Sequence, residues 1–260
     1  MNRRTFLPII PAALLSACGQ GKKERGLPTD MLIVGMEMSY PPFEFKNKQN
    51  EPDGVDVRLA EELAKYLNLP LKLEQYSFDG LIPALKAGEI DAVISAMTAT
   101  DFRRKSIDFS DAYVHTAIAM LVQRNSQIKS VEDLKKDGAK VVAKIATTGE
   151  SYAREFLPQA ALSVYDDEVN CVIEVSQGRA DAFIYDQLSI YGHAKKYETT
   201  TKAILTPIRE EDWAVGIKKG NDALRLKVNA FIKEFRDKGG LDKLADKYLV
   251  EERKLLQEMG

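Results

Sequence analysis

From residue 31 onward, short apolar runs of strand type alternate with segments of helical period, which restricts the chain to layered α/β architectures. Met31 to Gly35 reads as a buried strand. Val55, Leu59, Leu63 and Leu67 recur every four residues, one face of a helix. Leu71 to Tyr76 alternates as a strand does, and Leu81, Ile82 and Leu85 mark a second helix that stops near Gly88. Asp91 to Ser95 reads as a strand, Thr100 to Lys105 as a short helix, and Tyr113 to Val122 as a long strand. The alternation then restarts. Ser130 is placed to cap a helix over 131–136 closed by Gly138, followed by strands at 140–145, 162–165 and 182–185 and helices at 149–156, 169–175 and 187–197. A strand over 213–217 and two helices, 222–236 and 241–249, punctuated by Gly239-Gly240, end the pattern. The two blocks, about 31–121 and 125–208, have no low-complexity linker between them. Their junction is therefore expected to be a pair of crossing strands.

The first residues do not belong to this pattern. Arg3 and Arg4 precede a short apolar stretch, Phe6 to Leu15, which contains Pro8 and Pro11 and is too short to span a bilayer. Leu15-Ser16-Ala17-Cys18 resembles a bacterial lipobox, in which the cysteine becomes the lipidated first residue; a chance cysteine in an ordinary export signal is the alternative. Arg3 to Leu7 also resembles a twin-arginine export signal. Residues 1–17 are thus expected to be a signal segment and 18–30 a polar tether, giving an extracytoplasmic chain held to a bacterial membrane through Cys18. Loss of residues 1–17 removes two arginines and no acid, taking the formal net charge from -2 to -4. That balance, without a basic tract, excludes a nucleic-acid partner. Cys171 then has no cysteine to pair with, and its apolar helical setting reads as a buried thiol. His115, His193 and Cys171 lack metal-ligand spacing, so no metal or other cofactor is expected.

Several short motifs fall in a telling order. Tyr40-Pro41-Pro42-Phe43-Glu44-Phe45 precedes Gly54-Val55-Asp56-Val57. Phe78 to Leu85 and Gly88 to Thr98 follow, then Thr100, Arg103 and Asp108 to Tyr113. The second block carries Thr147-Thr148-Gly149-Glu150-Ser151-Tyr152-Ala153, Gly178 to Ala182, and Asp186. Together they resemble the family 3 bacterial solute-binding proteins, the polar amino-acid receptors of ABC transporters, with a pattern nearest the basic amino-acid binders. The resemblance covers residues 31 to 249. It implies a type II periplasmic-binding-protein fold: two α/β lobes, each a mainly parallel sheet flanked by helices, joined by two crossover strands. On that reading residues 31–121 and 209–260 form the first lobe and 122–208 the second. It also implies a monomer that takes a free L-amino acid to an ABC permease.

The residues themselves suit such a ligand. An amino acid is a zwitterion and needs one group for each charge. Arg103 offers a planar fork for the α-carboxylate, aided by Thr98 and main-chain groups around Ser95, Ala96, Met97 and Thr98. Thr147 and Thr148 precede a helix, so their amides can point at the same carboxylate. Asp186 ends a strand, where open α/β sheets bind ligands, and is the natural partner for the α-ammonium. Plainer roles remain open: Asp186 and Thr147-Thr148 as helix caps, and Tyr40 and Phe78 as core aromatics. The resemblance instead implies that Tyr40 and Phe78 flank the ligand side chain.

Glu37, three residues before Tyr40, is the expected contact for that side chain. A carboxylate between aromatic faces suits a basic group, arginine first, with glutamine or another polar amino acid as the alternative. Ala146 departs from the family pattern, which has glycine there, and narrows the backbone freedom of the loop. Trp213 reads as a core or hinge aromatic, with a ligand contact left open. An enzyme on this scaffold, such as a cyclohexadienyl dehydratase, would need an acid or base aimed at its substrate. Glu37 is the one candidate, and the zwitterion set needs no catalytic role, so no enzyme is expected.

Overall fold

The computed structural model describes residues 26–250. The expected signal segment, Cys18, most of the expected tether and the last ten residues lie outside the described residues. In chain order the elements are β1 (Leu32–Met36), β2 (Ser39–Tyr40), β3 (Glu44–Lys46), β4 (Pro52–Asp53), α1 (Val55–Leu67), β5 (Leu71–Gln75), α2 (Phe78–Ala87), β6 (Ala92–Val93), α3 (Asp101–Arg104) and β7 (Ile107–Gln123). A 3-10 turn over Val131–Leu134 leads to β8 (Lys140–Lys144), α4 (Thr148–Phe156), β9 (Ala161–Tyr165), α5 (Glu168–Ser176), β10 (Ala182–Asp186), α6 (Gln187–Lys196), β11 (Thr201–Lys218), α7 (Asp222–Asp237) and α8 (Gly240–Tyr248). No described helix is long and apolar enough to cross a membrane.

Eight strands form one mixed sheet in the order β5-β1-β6-β11-β7-β10-β8-β9. The flanks β5-β1-β6 and β10-β8-β9 are internally parallel. At the centre, β7 and β11 pair antiparallel with each other and with the flanking β10 and β6. These two strands run from one flank to the other. Arg209 to Lys218 pairs with residues 107–118 on the β6 side, and Thr201 to Ile204 with residues 120–123 on the β10 side. Between Ile204 and Arg209 the register shifts. Pro207 lies there, and a residue without an N–H is tolerated where the ladder is already interrupted.

Local chemistry explains the helices. α1 buries Val55, Leu59, Leu63 and their neighbours, and Asn68 at φ 55° closes it by donating its N–H to the Ala64 and Lys65 carbonyls. Gly88, at φ 82°, closes α2 in the same way. The closing helices return to the first block: the Tyr66 ring lies 5.6 Å from Phe231, and the Tyr248 hydroxyl donates to Asp53 at 2.5 Å. The core is continuous across the sheet centre, where Phe43, Tyr40, Tyr185 and Phe183 touch ring to ring in sequence. Cys171 is buried and free, and burial pushes its thiol pKa up.

Five segments differ from expectation. β7 starts at Ile107, six residues before the expected Tyr113, and the helix expected over 131–136 is a 3-10 turn over Val131–Leu134. β6 is only two residues long because the chain turns out of the ladder before Ala96, which sits at φ 47°. β11 extends twelve residues further back than the apolar run at 213–217; its first half is half exposed and mixes apolar with polar residues around Pro207, without a strand period. Residues 39–53 form a small antiparallel sheet, β2-β3-β4, with strands too short to show a period.

One close approach sets the distance between α4 and β10, and with it the spacing of Thr147-Thr148 from Asp186. A Cβ at Gly149 would stand 2.1 Å from the Ile184 carbonyl oxygen. Gly149→Ala is therefore expected to destabilise the fold by about 1–3 kcal/mol, as overpacking does. Thermal denaturation should show a Tm lower by about 2–4 °C for each kcal/mol lost; an unchanged Tm would refute this packing.

Candidate functional site

The carboxyl ends of β1, β6, β8 and β10 converge near the sheet centre, the general location of ligand sites in α/β folds. Glu37, Tyr40, Phe78, Ser95, Ala96, Thr98, Arg103, Thr147, Thr148 and Asp186 line one cavity there. Glu44, Tyr185, Glu211 and Trp213 complete the lining. Met97 does not join them. Its side chain is buried with Leu81, Val93 and Phe109, and its carbonyl accepts the Ala214 N–H at 3.1 Å.

Arg103 lies in α3, whose first turn Thr100 caps by accepting the Arg103 N–H at 3.2 Å. Its guanidinium is buried, and burial lowers its pKa to about 10, so it remains charged at neutral pH. Nη1 donates to the Thr98 carbonyl and Nη2 to the Ala146 carbonyl, both at 2.8 Å. Cζ stands 5.3 Å from the Phe78 ring centroid. Arg103 thereby ties the β6 flank to the loop after β8. Ala146 adopts φ 60°, the left-handed conformation that glycine would take without steric cost, and its N–H donates to Glu150 at 2.6 Å.

Thr147 caps α4, accepting the Glu150 N–H at 3.4 Å and donating its hydroxyl to the Lys144 carbonyl at 2.6 Å. The hydroxyls of Thr98 and Thr148 both donate to Glu211 Oε2, at 2.8 and 2.9 Å, and Arg209 pairs with Oε1 at 3.0 Å. Glu211 on β11 thus bridges residues from both flanks.

Asp186 ends β10 and caps α6, with Oδ1 accepting the Ser189 N–H at 2.9 Å. Its Oδ2 accepts a hydrogen bond from the Tyr40 hydroxyl across the cavity. Burial raises its pKa to about 7, against the opposing effect of those two hydrogen bonds. The capping role and the position in the cavity hold together.

On the β1 side, the Glu37 N–H donates to Ser95 Oγ at 3.1 Å, and Ser95 donates to Glu44 at 2.5 Å. Asp56 accepts the Ala96 N–H at 2.7 Å and the Tyr113 hydroxyl at 2.9 Å. The Glu37 carboxylate itself receives Lys144 Nζ at 2.5 Å. Lys144 ends β8 and is almost wholly buried. As one charge at the end of a short strand, it had no motif to mark it. Glu44 fell inside a motif without a role of its own, and Glu211 preceded Trp213 in the return strand without a role of its own. Trp213 was the exception, singled out by its place in the return strand. Arg103 and Asp186, of opposite charge and set on different flanks, give the cavity the two groups that an amino-acid zwitterion requires.

The profile of the bacterial extracellular solute-binding proteins, family 3, matches residues 32–251. The ABC transporter glutamine-binding protein of Bacillus subtilis (strain 168) is 31% identical, covering 95% of this chain and 96% of its own. An ancestral arginine-binding protein solved with arginine bound superposes with a TM-score of 0.79 at 33% identity, covering 86% of this chain and 99% of that one. An ancestral amino acid-binding protein, described as a precursor of cyclohexadienyl dehydratase, gives 0.76 at 37% identity over 84% of this chain and 94% of that one. The chain therefore belongs to the bacterial extracellular solute-binding proteins of family 3.

Proposed function

We propose that this chain is the extracytoplasmic receptor of an ABC importer, that it captures a polar L-amino acid between two lobes, and that it releases the ligand unchanged. The observation that carries this reading is the placement of Arg103 and Asp186 in one buried cavity, on opposite sides of the β7–β11 pair. Arg103 and the amides at the α4 N-terminus take the α-carboxylate; Asp186 takes the α-ammonium. The threonine hydroxyls contribute through Glu211, to which they donate, and so set the loop geometry. Both lobes contribute to holding the zwitterion, Arg103 from the first and the α4 N-terminus with Asp186 from the second, so ligand stabilises the closed arrangement of residues 31–121 and 209–260 against 122–208. Tyr40 and Phe78 flank the side chain, which ends beside Glu37. A basic side chain suits the acid, a polar amide suits a mixed donor and acceptor, and both arginine and glutamine binders are among the relatives. Binding without turnover agrees with those relatives, including the dehydratase precursor, which is an amino acid-binding protein.

Arg103→Met is expected to abolish binding of every common α-amino acid in calorimetric titration, a loss of at least a hundredfold, because a buried charge partner disappears. Binding within tenfold of the parent would refute the carboxylate assignment. The raised pKa of Asp186 adds a pH dependence. A proton and the ligand ammonium compete for one carboxylate, so affinity should hold above about pH 7 and fall below it, approaching tenfold per unit. Asp186→Asn should bind weakly and flatten that profile; an unchanged slope would place the titration elsewhere.

The lipobox-like Leu15 to Cys18 supports a lipid anchor, with the domain tethered to the membrane beside its permease. Cell fractionation should find the chain with membranes and Cys18→Ser in the soluble extracytoplasmic fraction. Recovery of both in the soluble fraction would exclude the anchor.

A further inference from the structure

Resting on the receptor reading above, we infer that Lys144 is the residue that sets side-chain specificity, favouring a carboxamide ligand side chain over a cationic one. Glu37 follows β1 and Lys144 ends β8, so their ion pair at 2.5 Å joins the two flanks, with Glu37 in the cavity lining and Lys144 packed directly behind it. The two side chains are 9% and 1% exposed. Lys144 Nζ lies 6.0 Å from the Tyr40 ring centroid, 5.8 Å from Phe78 and 6.0 Å from Tyr185. One carboxylate and three aromatic faces are the chemistry that recognises a cationic side chain. Here the protein supplies that cation from its own strand.

Two consequences follow. A ligand guanidinium or ammonium entering beside Glu37 meets a buried like charge a few ångströms away, in surroundings where such repulsion is poorly screened. The pair also presents both hydrogen-bonding senses at one point. An ammonium has three protons and a carboxylate two acceptor oxygens, so each keeps capacity after bonding to the other. A carboxamide matches that pattern, with its oxygen toward Lys144 and its NH2 toward Glu37. A cation satisfies only the acid and a carboxylate only the lysine.

The test is calorimetric titration of the purified chain and two variants with glutamine, asparagine, glutamate, arginine and lysine. The parent should bind an amide ligand at least tenfold tighter than arginine, lysine or glutamate. Lys144→Met leaves Glu37 without its cation, and arginine or lysine should gain at least tenfold while the amide weakens. Glu37→Gln is the reciprocal change and should bring glutamate up at least tenfold relative to the amide. It also keeps the question answerable where Lys144→Met does not fold. A parent that prefers arginine, or variants whose ligand ranking moves by less than about threefold, would overturn the role of Lys144. Absence of any amino-acid binding by the parent would instead defeat the receptor reading itself.

Discussion

The antiparallel pairing of β7 with β11 is the constraint on which the remaining geometry depends. Each strand serves both flanks, so the parallel groups β5-β1-β6 and β10-β8-β9 meet through a common pair and through no other strand. Their carboxyl-terminal loops face each other over the centre of the sheet as a result. The pairing also brings β11 side chains into the cavity: Glu211 beneath both threonines, and Trp213 against Tyr40 and Phe43. The ladder has its longest break between Ile204 and Arg209, around Pro207, close to where the strands pass between flanks, with two smaller register shifts at Trp213/Ala214 and Ala214/Gly216. A break at that point leaves few backbone hydrogen bonds to oppose bending, while the long runs on either side keep each flank rigid.

Around this pair the chain concentrates buried charge, and the cost of burial determines most of the local structure. A lone buried charge costs several kcal/mol, so each one is met. Arg103 spends two N–H groups on carbonyls of different loops, Asp186 takes a main-chain N–H and a tyrosine hydroxyl, and Glu211 gathers two hydroxyls and an arginine. Glu44 in the cavity wall and Asp56 behind it are both buried acids. Burial pushes Glu44 well above the usual carboxylate range, with Asp56 adding to the effect, and raises Asp56 to about 7. Each has one oxygen with no hydrogen-bond partner outside the pair. Two such acids cannot both ionise, so a proton stays with them near neutral pH. Their other oxygens fix Ser95 and the Ala96 N–H, holding the loop between β6 and Thr98 in place.

The sequence made the alternation of elements plain because period and burial coincide there. α1 appeared by its apolar face and α2 with its closing Gly88, and β8 to β10 lay within a residue of their expected limits. The small sheet β2-β3-β4 was invisible because strands of two or three residues carry no period, and the first half of β11 because its apolar residues do not alternate and Pro207 interrupts them. In the site, residues with a charge or a cap inside a motif were legible: Arg103, Asp186, Thr147 and Thr148 all reach the cavity. Met97 did not, since the alternation along Ser95 to Thr98 turns its side chain toward the core. Lys144 and Glu211 were hidden for a common reason. Each acts through a partner distant in sequence, Glu37 in one case and Thr98 with Thr148 in the other, and spacing along the chain does not encode such pairs.

The cavity therefore divides into two parts that are held differently. The end built on Arg103, Asp186 and the α4 N-terminus is fixed by main-chain carbonyls, caps and strand ends, so it is tied to the fold and suits what all amino acids share. The other end is fixed by side chains alone: Glu37 and Lys144, with the rings of Tyr40, Phe78 and Tyr185 around them. A substitution there alters charge without disturbing a hydrogen-bonded ladder. On the proposed reading, specificity can thus change by one or two residues while Arg103 and Asp186 stay as they are. Relatives about a third identical to this chain, named for glutamine in one case and arginine in another, are what such a division permits.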